Sequence, residues 1–251
     1  MNLNLDGKVA LVTGSYRGTG AGIAERLGAE GAHVIVHGFL EDETQFVFEQ
    51  LANKEINVTR LEANLLDLDH DEIKSLLPPI DILINNYGTP RRSSWESTES
   101  WIEEWEHNVL MGVKLSQVVI GGMSDRGWGR ILFMGTIGIE NPGTHSPGYY
   151  GSKAALVPIV KSLARELNQT GITVNLINPG MIATAEVKEM LQKSARKKGI
   201  EADWSEIERW ATSEFMPNLT GRLSTPESIG DIVAFLVSDL AFQINGAIIP
   251  V

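Results

Sequence analysis

Apolar residues fall into short unbroken runs that alternate with stretches of helical periodicity, and this alternation predicts the elements. Residues 8–12 (Lys-Val-Ala-Leu-Val) read as a buried first strand, and residues 21–31 as the helix behind it, with Ile23, Ala24 and Leu27 at helical spacing. The runs at 32–37, 58–63, 81–86, 130–134, 173–177 and 246–251 predict further strands. Helical patterns between them cover 41–54, 69–77, about 98–123, 149 to about 168, and 226–238; the helix at 69–77 is stopped by Pro78 and Pro79. Strands alternating with helices throughout specify a single α/β domain over residues 1–251, with a doubly wound parallel sheet of about seven strands and helices on both faces. The charged segment 186–220 carries Trp204, Trp210, Phe215 and Met216 and is long for a connection. It reads as a helical lid over a substrate cleft, and its aromatics suggest a partly apolar substrate.

Where the first strand passes into the first helix, Gly14, Gly18 and Gly20 stand at the spacing G-x-x-x-G-x-G, with Ser15, Tyr16, Arg17 and Thr19 between them. Missing side chains there let the backbone turn sharply and approach a diphosphate at the positive end of the helix. The net charge of −11 argues against general nucleic-acid binding but leaves room for a local pocket for one anionic cofactor. With no cysteine there is no disulfide, thiolate nucleophile or Cys-type zinc site, and the five histidines show no metal spacing. No apolar run reaches membrane-spanning length, and the amino terminus lacks a signal peptide's apolar core. A soluble cytoplasmic protein with no membrane partner is expected.

Tyr149 and Lys153 lie four residues apart in a predicted helix and so share a face. An ammonium beside the phenol favours phenolate and lowers a pKa that is ordinarily about 10, which would make Tyr149 an acid/base near neutral pH. The neighbouring Tyr150 has Ala154 at the corresponding position, which cannot activate it.

Four stretches resemble the short-chain dehydrogenase/reductase family, in order and over essentially the whole chain. They are the glycine turn 13–20, the turn Asn85-Asn86-Tyr87-Gly88, the Y-x-x-x-K motif at Tyr149 and Lys153, and Asn178-Pro179-Gly180 with Thr184. The resemblance implies a Rossmann-type NAD(P)-dependent oxidoreductase moving hydride between a nicotinamide and a carbonyl or secondary alcohol, such as a 3-oxoacyl or other carbonyl reductase. It implies that Thr136, in place of the family's Ser, holds the substrate oxygen with Tyr149, that Lys153 also holds the nicotinamide ribose, and that Asn108 supports a proton relay. Asn86, Tyr87, Gly88, Pro179, Gly180, Ile182 and Thr184 are expected against the cofactor, with Asn64 and Leu65 at its adenine.

Gly38 stands where NAD-preferring relatives carry a carboxylate, and Arg17 matches a position that contacts a 2′-phosphate; Phe39 replaces a second Arg of many NADP enzymes. NADP(H) is therefore favoured over NAD(H). Tyr87, where the family has Ala, is a candidate for shaping the substrate pocket, as is His145, four residues before Tyr149. Pro158 should kink its helix or open a hydrogen bond there. A homotetramer, or a homodimer, is implied, although the sequence ends at Val251 where the family usually continues with Asp-Gly-Gly, which bears on subunit contacts. The alternative is a non-catalytic NAD(P)-binding regulatory or scaffold protein, which the departures at Tyr87 and Thr136 would favour.

Overall fold

The computed structural model describes residues 3–88, 93–200 and 203–251. In chain order the elements are β1 (Val9–Val12), α1 (Gly18–Ala29), β2 (His33–Gly38), α2 (Gln45–Ala52), β3 (Val58–Glu62), α3 (His70–Leu76), β4 (Ile82–Asn85), α4 (Glu99–Trp105), α5 (Met111–Arg126), β5 (Gly129–Met134), α6 (Pro147–Glu166), β6 (Ile172–Asn178), α7 (Ala185–Lys197), α8 (Trp204–Trp210), α9 (Pro226–Val237) and β7 (Ile248–Pro250). The strands form one parallel sheet in the order β3-β2-β1-β4-β5-β6-β7. The direction of winding reverses between β1 and β4, so the crevice for a ligand opens at the carboxyl ends of those two strands.

Alternate residues along each strand supply the cores on the two faces. Ala10, Val12, Val34, Val36, Ile82 and Ile84 pack with Ile23 and Leu27 of α1 and with Ile229 and Val233 of α9. Leu11, Ile35, Leu83, Ile131, Phe133 and Leu176 face the other way, onto Leu115 of α5 and Leu156 and Val160 of α6. A parallel sheet covered on both sides reads in sequence as unbroken apolar runs, and each fully buried Leu or Ile side chain contributes about 1.5–3 kcal/mol. Local chemistry sets the helix ends. Asp69 accepts from the Glu72 backbone N–H while the Glu72 carboxylate accepts from that of Asp69, a capping box that starts α3.

Two elements differ from the sequence pattern. The helix expected at 98–123 is continuous but contains a π-turn at Glu106–Leu110, between α4 and α5. A π-turn inserts one residue and rotates the side chains beside it, and here Asn108 sits at its centre. α6 begins at Pro147, which lacks only an N–H that the first turn leaves unused. It runs unbroken past Pro158, which lies on the exposed face. The segment 186–220 folds largely as α7 and α8, whose Leu191, Ala195, Ile207 and Trp210 make a small core of their own with Leu223.

Candidate active site

A cleft of about 520 Å³ lies at the carboxyl ends of the strands. Gly14, Tyr16, Arg17, Gly18, Thr19 and Gly20 line one side; Asn86, Tyr87 and Gly88 line its floor. Thr136, Tyr149, Lys153, Pro179, Gly180, Ile182 and Thr184 complete the wall. Residues from four separate motifs thus meet in one place.

The glycine turn takes its shape from contacts that a side chain would prevent. Gly14 and Gly18 adopt φ of +62° and +55°, and a Cβ on Gly20 would lie 2.5 Å from the Gly14 carbonyl oxygen. Arg17 precedes α1 without capping it through its side chain, so the first-turn N–H groups of Gly18, Thr19 and Gly20, residues that line the cleft, are uncapped and suit an anionic diphosphate. Asn86 ties the turn down by donating from Nδ2 to the Thr13 carbonyl at 2.9 Å, and the Tyr87 N–H donates to Thr13 Oγ1 at 3.0 Å. These residues fit the pyrophosphate of a dinucleotide.

His37, which sequence reasoning passed over, is fully buried beneath this turn. Its Nδ1 accepts from the Gly14 N–H at 3.1 Å and its Nε2 donates to the Ala63 carbonyl at 3.1 Å, which fixes one neutral tautomer. Burial lowers its pKa to about 4, against small opposing contributions from Ala63 and the Glu43 carboxylate. Ser15 faces away from the cleft: its hydroxyl donates to the Val12 carbonyl at 2.7 Å and accepts from the His37 N–H at 2.9 Å. Gly38, Phe39, Asn64 and Leu65 lie outside the cleft lining, at the ends of β2 and β3. Asn64 spends its amide on Asp67 at 2.8 Å, and Leu65 is completely buried.

The Tyr87 ring lies over Gly14, where a Cβ would approach its Cδ2 to 2.9 Å, and packs between Phe39 (4.4 Å between ring centres) and His107 (5.9 Å). His145 is exposed and does not line the cleft. Arg17 pairs with Glu186 of α7 at 3.3 Å, with both side chains largely exposed. Thr184 caps α7 by accepting from the Val187 N–H.

On α6 the i, i+4 spacing turns Tyr149 and Lys153 into the cleft together, but their electrostatics correct the expectation of a depressed phenol. Lys153 is buried, and its Nζ donates to the Met134 carbonyl at the end of β5 at 2.8 Å. Burial lowers its pKa to about 8, with the Glu104 carboxylate acting in the opposite direction. The Tyr149 phenol is pushed above its ordinary value, chiefly by burial, with Tyr150 and Glu104 adding to the shift and a hydrogen bond with Thr136 opposing it. The phenol therefore stays protonated in this state.

Thr136 Oγ1 also accepts from the Gly138 N–H at 3.1 Å, which fixes its rotamer. Asn108 is buried and donates from Nδ2 to the Glu104 carbonyl at 2.9 Å and to the Glu104 carboxylate at 2.6 Å. Its Oδ1, which meets no protein donor among the described residues, and Lys153 Nζ each lie 2.5 Å from the point a Cβ of Gly88 would occupy. Gly88 thus keeps open the space between them. Further residues of the cleft that the motifs did not indicate are Tyr150, Ile137, Met181, Val187 and Met216. Among the described residues no group of His, Asp or Glu is arranged to hold a metal ion, and no helix is long and apolar enough to cross a membrane.

Residues 8–195 match the family model for short chain dehydrogenases. The 3-oxoacyl-[acyl-carrier-protein] reductase FabG of Aquifex aeolicus is 34% identical over 266 residues, spanning 100% of this chain and 98% of that protein. A D-beta-hydroxybutyrate dehydrogenase of Cupriavidus necator is 32% identical, spanning 97% of this chain and 96% of that protein. Among solved structures, L-sorbose reductase from Gluconobacter frateurii, complexed with NADPH and L-sorbose, aligns with a TM-score of 0.88 at 30% identity, covering 100% of this chain and 97% of the other. A 3-oxoacyl (acyl-carrier-protein) reductase from Agrobacterium tumefaciens with NADP bound aligns with a TM-score of 0.85 at 27% identity, covering 100% and 95%. The protein belongs to the short-chain dehydrogenase family, whose members are NAD(P)-dependent oxidoreductases.

Proposed function

We propose that this protein is a carbonyl reductase that uses NADP(H) in preference to NAD(H). The observation that carries the reading is the meeting of Thr136, Tyr149 and Lys153 with the glycine turn in one cleft. The glycine turn and the first-turn N–H groups of α1 would hold the pyrophosphate, and Arg17 would hold the 2′-phosphate, Gly38 itself carrying no carboxylate. The NADPH and NADP complexes of related structures support the same preference.

Bound reduced nicotinamide supplies the hydride that reduces the carbonyl carbon. The protein's part is to place and polarise the substrate. Thr136 and Tyr149 donate hydrogen bonds to the carbonyl oxygen, and Tyr149, a neutral phenol whose pKa lies above its ordinary value, gives up its proton as the alkoxide forms. The Lys153 ammonium beside it stabilises the resulting phenolate, and Asn108 Oδ1 orients the donor that returns the proton. With these four groups so placed, no observation favours the scaffold alternative.

Ile137, Met181, Val187 and Met216 give the outer cleft apolar walls, which suits a partly apolar ketone such as a 3-oxoacyl chain. On this reading residues 1–251 form one domain in which 186–220 closes over the substrate. The exposed Ile102, Trp105 and Leu110 along α4 and the π-turn support a homotetramer or homodimer, and a cytoplasmic enzyme accords with the sequence. A screen of 3-oxoacyl thioesters, simple ketones and ketosugars with NADPH tests the proposal: turnover of an apolar ketone is expected. Turnover of ketosugars alone would overturn the substrate class, and turnover of nothing by protein that binds NADPH would overturn the activity.

A further inference from the structure

The chain leaves β2 at Gly38 and turns into α2 through a loop held by one carboxylate. Glu43 Oε2 accepts from the Phe39 N–H at 2.6 Å and from the Leu40 N–H at 3.3 Å. The same oxygen lies 2.9 Å from the point a Cβ of Gly38 would occupy, so the half-buried Glu43 side chain folds back over that glycine. Its hold is reinforced on both sides. Glu62, at the end of β3, accepts from the Asp42 N–H at 3.1 Å and from the Thr44 N–H at 3.0 Å, and its carboxylate is paired with Arg60 at 2.8 Å. Arg60 is thus committed to Glu62 and Asp42.

Two successive backbone N–H groups converging on one anionic oxygen form a small anion site, and here the chain fills it with its own carboxylate. We propose that Glu43 weakens the preference for NADPH over NADH by occupying the Phe39 and Leu40 amides at the end of β2, so that a 2′-phosphate must displace it whereas a ribose hydroxyl need not. The inference rests on the reading that the adenosine ribose lies at the end of β2. A phosphate monoester carries a charge of about −1.5 to −2 at neutral pH, so a carboxylate in its place opposes it both by repulsion and by competing for donors. Glu43 therefore limits the NADPH preference that Arg17 and Gly38 provide.

The test compares wild type with Glu43→Gln, which keeps an acceptor for the loop amides but removes the charge, and with Glu43→Ala. Dissociation constants for NADPH and NADH are read by fluorescence titration, and 2′,5′-ADP and 5′-ADP are compared by thermal shift, with the ligand-free melting temperature as the control for folding. Glu43→Gln should tighten NADPH and 2′,5′-ADP by about fivefold or more, as expected for removing one like charge at close range, and leave NADH and 5′-ADP within about twofold. Equal changes for both members of each pair, or none in either variant, would overturn the proposal and leave Glu43 as a turn cap. Wild type that binds neither dinucleotide would overturn the cofactor reading itself, and this inference with it.

Discussion

Asn108 donates from Nδ2 to the buried Glu104 carboxylate at 2.6 Å, one helical turn earlier, and its Oδ1 is left on the side of Lys153. The carboxylate thereby orients the amide toward Lys153, one of the two residues proposed to act in catalysis. Glu104→Leu removes that acceptor and should lower kcat between about ten- and a hundredfold while leaving the Kd for NADPH within about twofold, because a misoriented group near the reacting atoms costs rate before affinity. Glu104→Gln, which can still accept from Asn108, should recover most of the loss. Equal kcat in Glu104→Leu and wild type, measured on protein of matched melting temperature, would remove Glu104 from this role.

Lys153 carries its charge only below a pKa that burial has lowered from 10.5 to about 8. Since kcat/KM reports the free enzyme, ketone reduction should decline as pH rises through about 8. Lys153→Met should lack that limb of the profile and be slow throughout; an unchanged limb in the variant would assign it to another group.

His37 is protonated in the unfolded chain near its ordinary value of 6.5 but in the native protein only near about 4. Between those values the unfolded chain binds the extra proton, so stability falls as pH falls through the window, by on the order of 3 kcal/mol when complete. Urea unfolding of wild type and His37→Gln at several pH values should show this dependence in wild type and a shallower one in the variant. The variant should also bind NADPH more weakly at neutral pH, since the Gly14 N–H loses its partner.

Arg17 pairs with Glu186 at 3.3 Å, and an ion pair this exposed contributes about 0–1 kcal/mol, so the arginine can be released to a ligand at small cost. Arg17→Ala should weaken NADPH binding about tenfold and leave NADH within about twofold, with little change in melting temperature. Parallel losses for both cofactors would mean that the side chain supports the loop and does not read the 2′-phosphate.

The fold was legible because a parallel sheet covered on both faces leaves continuous apolar runs, and the glycine spacing marks the place where winding reverses. Tyr149 and Lys153 were legible because helical spacing alone places them side by side. The electrostatics of the pair were not, since the burial that raises the phenol comes from elements distant in sequence. Glu104 is hidden among Glu103 and Glu106 on an acidic helix; only packing against α6 decides which acid is buried. His37 reads as the polar end of an apolar run, and Glu43 as one of three consecutive acids. Its fold-back over Gly38 follows a turn in which Asp42 adopts φ of +60°, which no periodicity reveals.

Proton delivery by Tyr149 in an NAD(P)H-dependent reduction is tested most directly by Tyr149→Phe. NADPH affinity by fluorescence titration and single-turnover oxidation of bound NADPH by a ketone substrate would be measured on the same preparations of wild type and variant. Affinity within about twofold and a rate reduced by about 10²–10⁴, the range for losing a general acid, are expected of the variant. A variant that oxidises NADPH at the wild-type rate would contradict proton delivery by Tyr149.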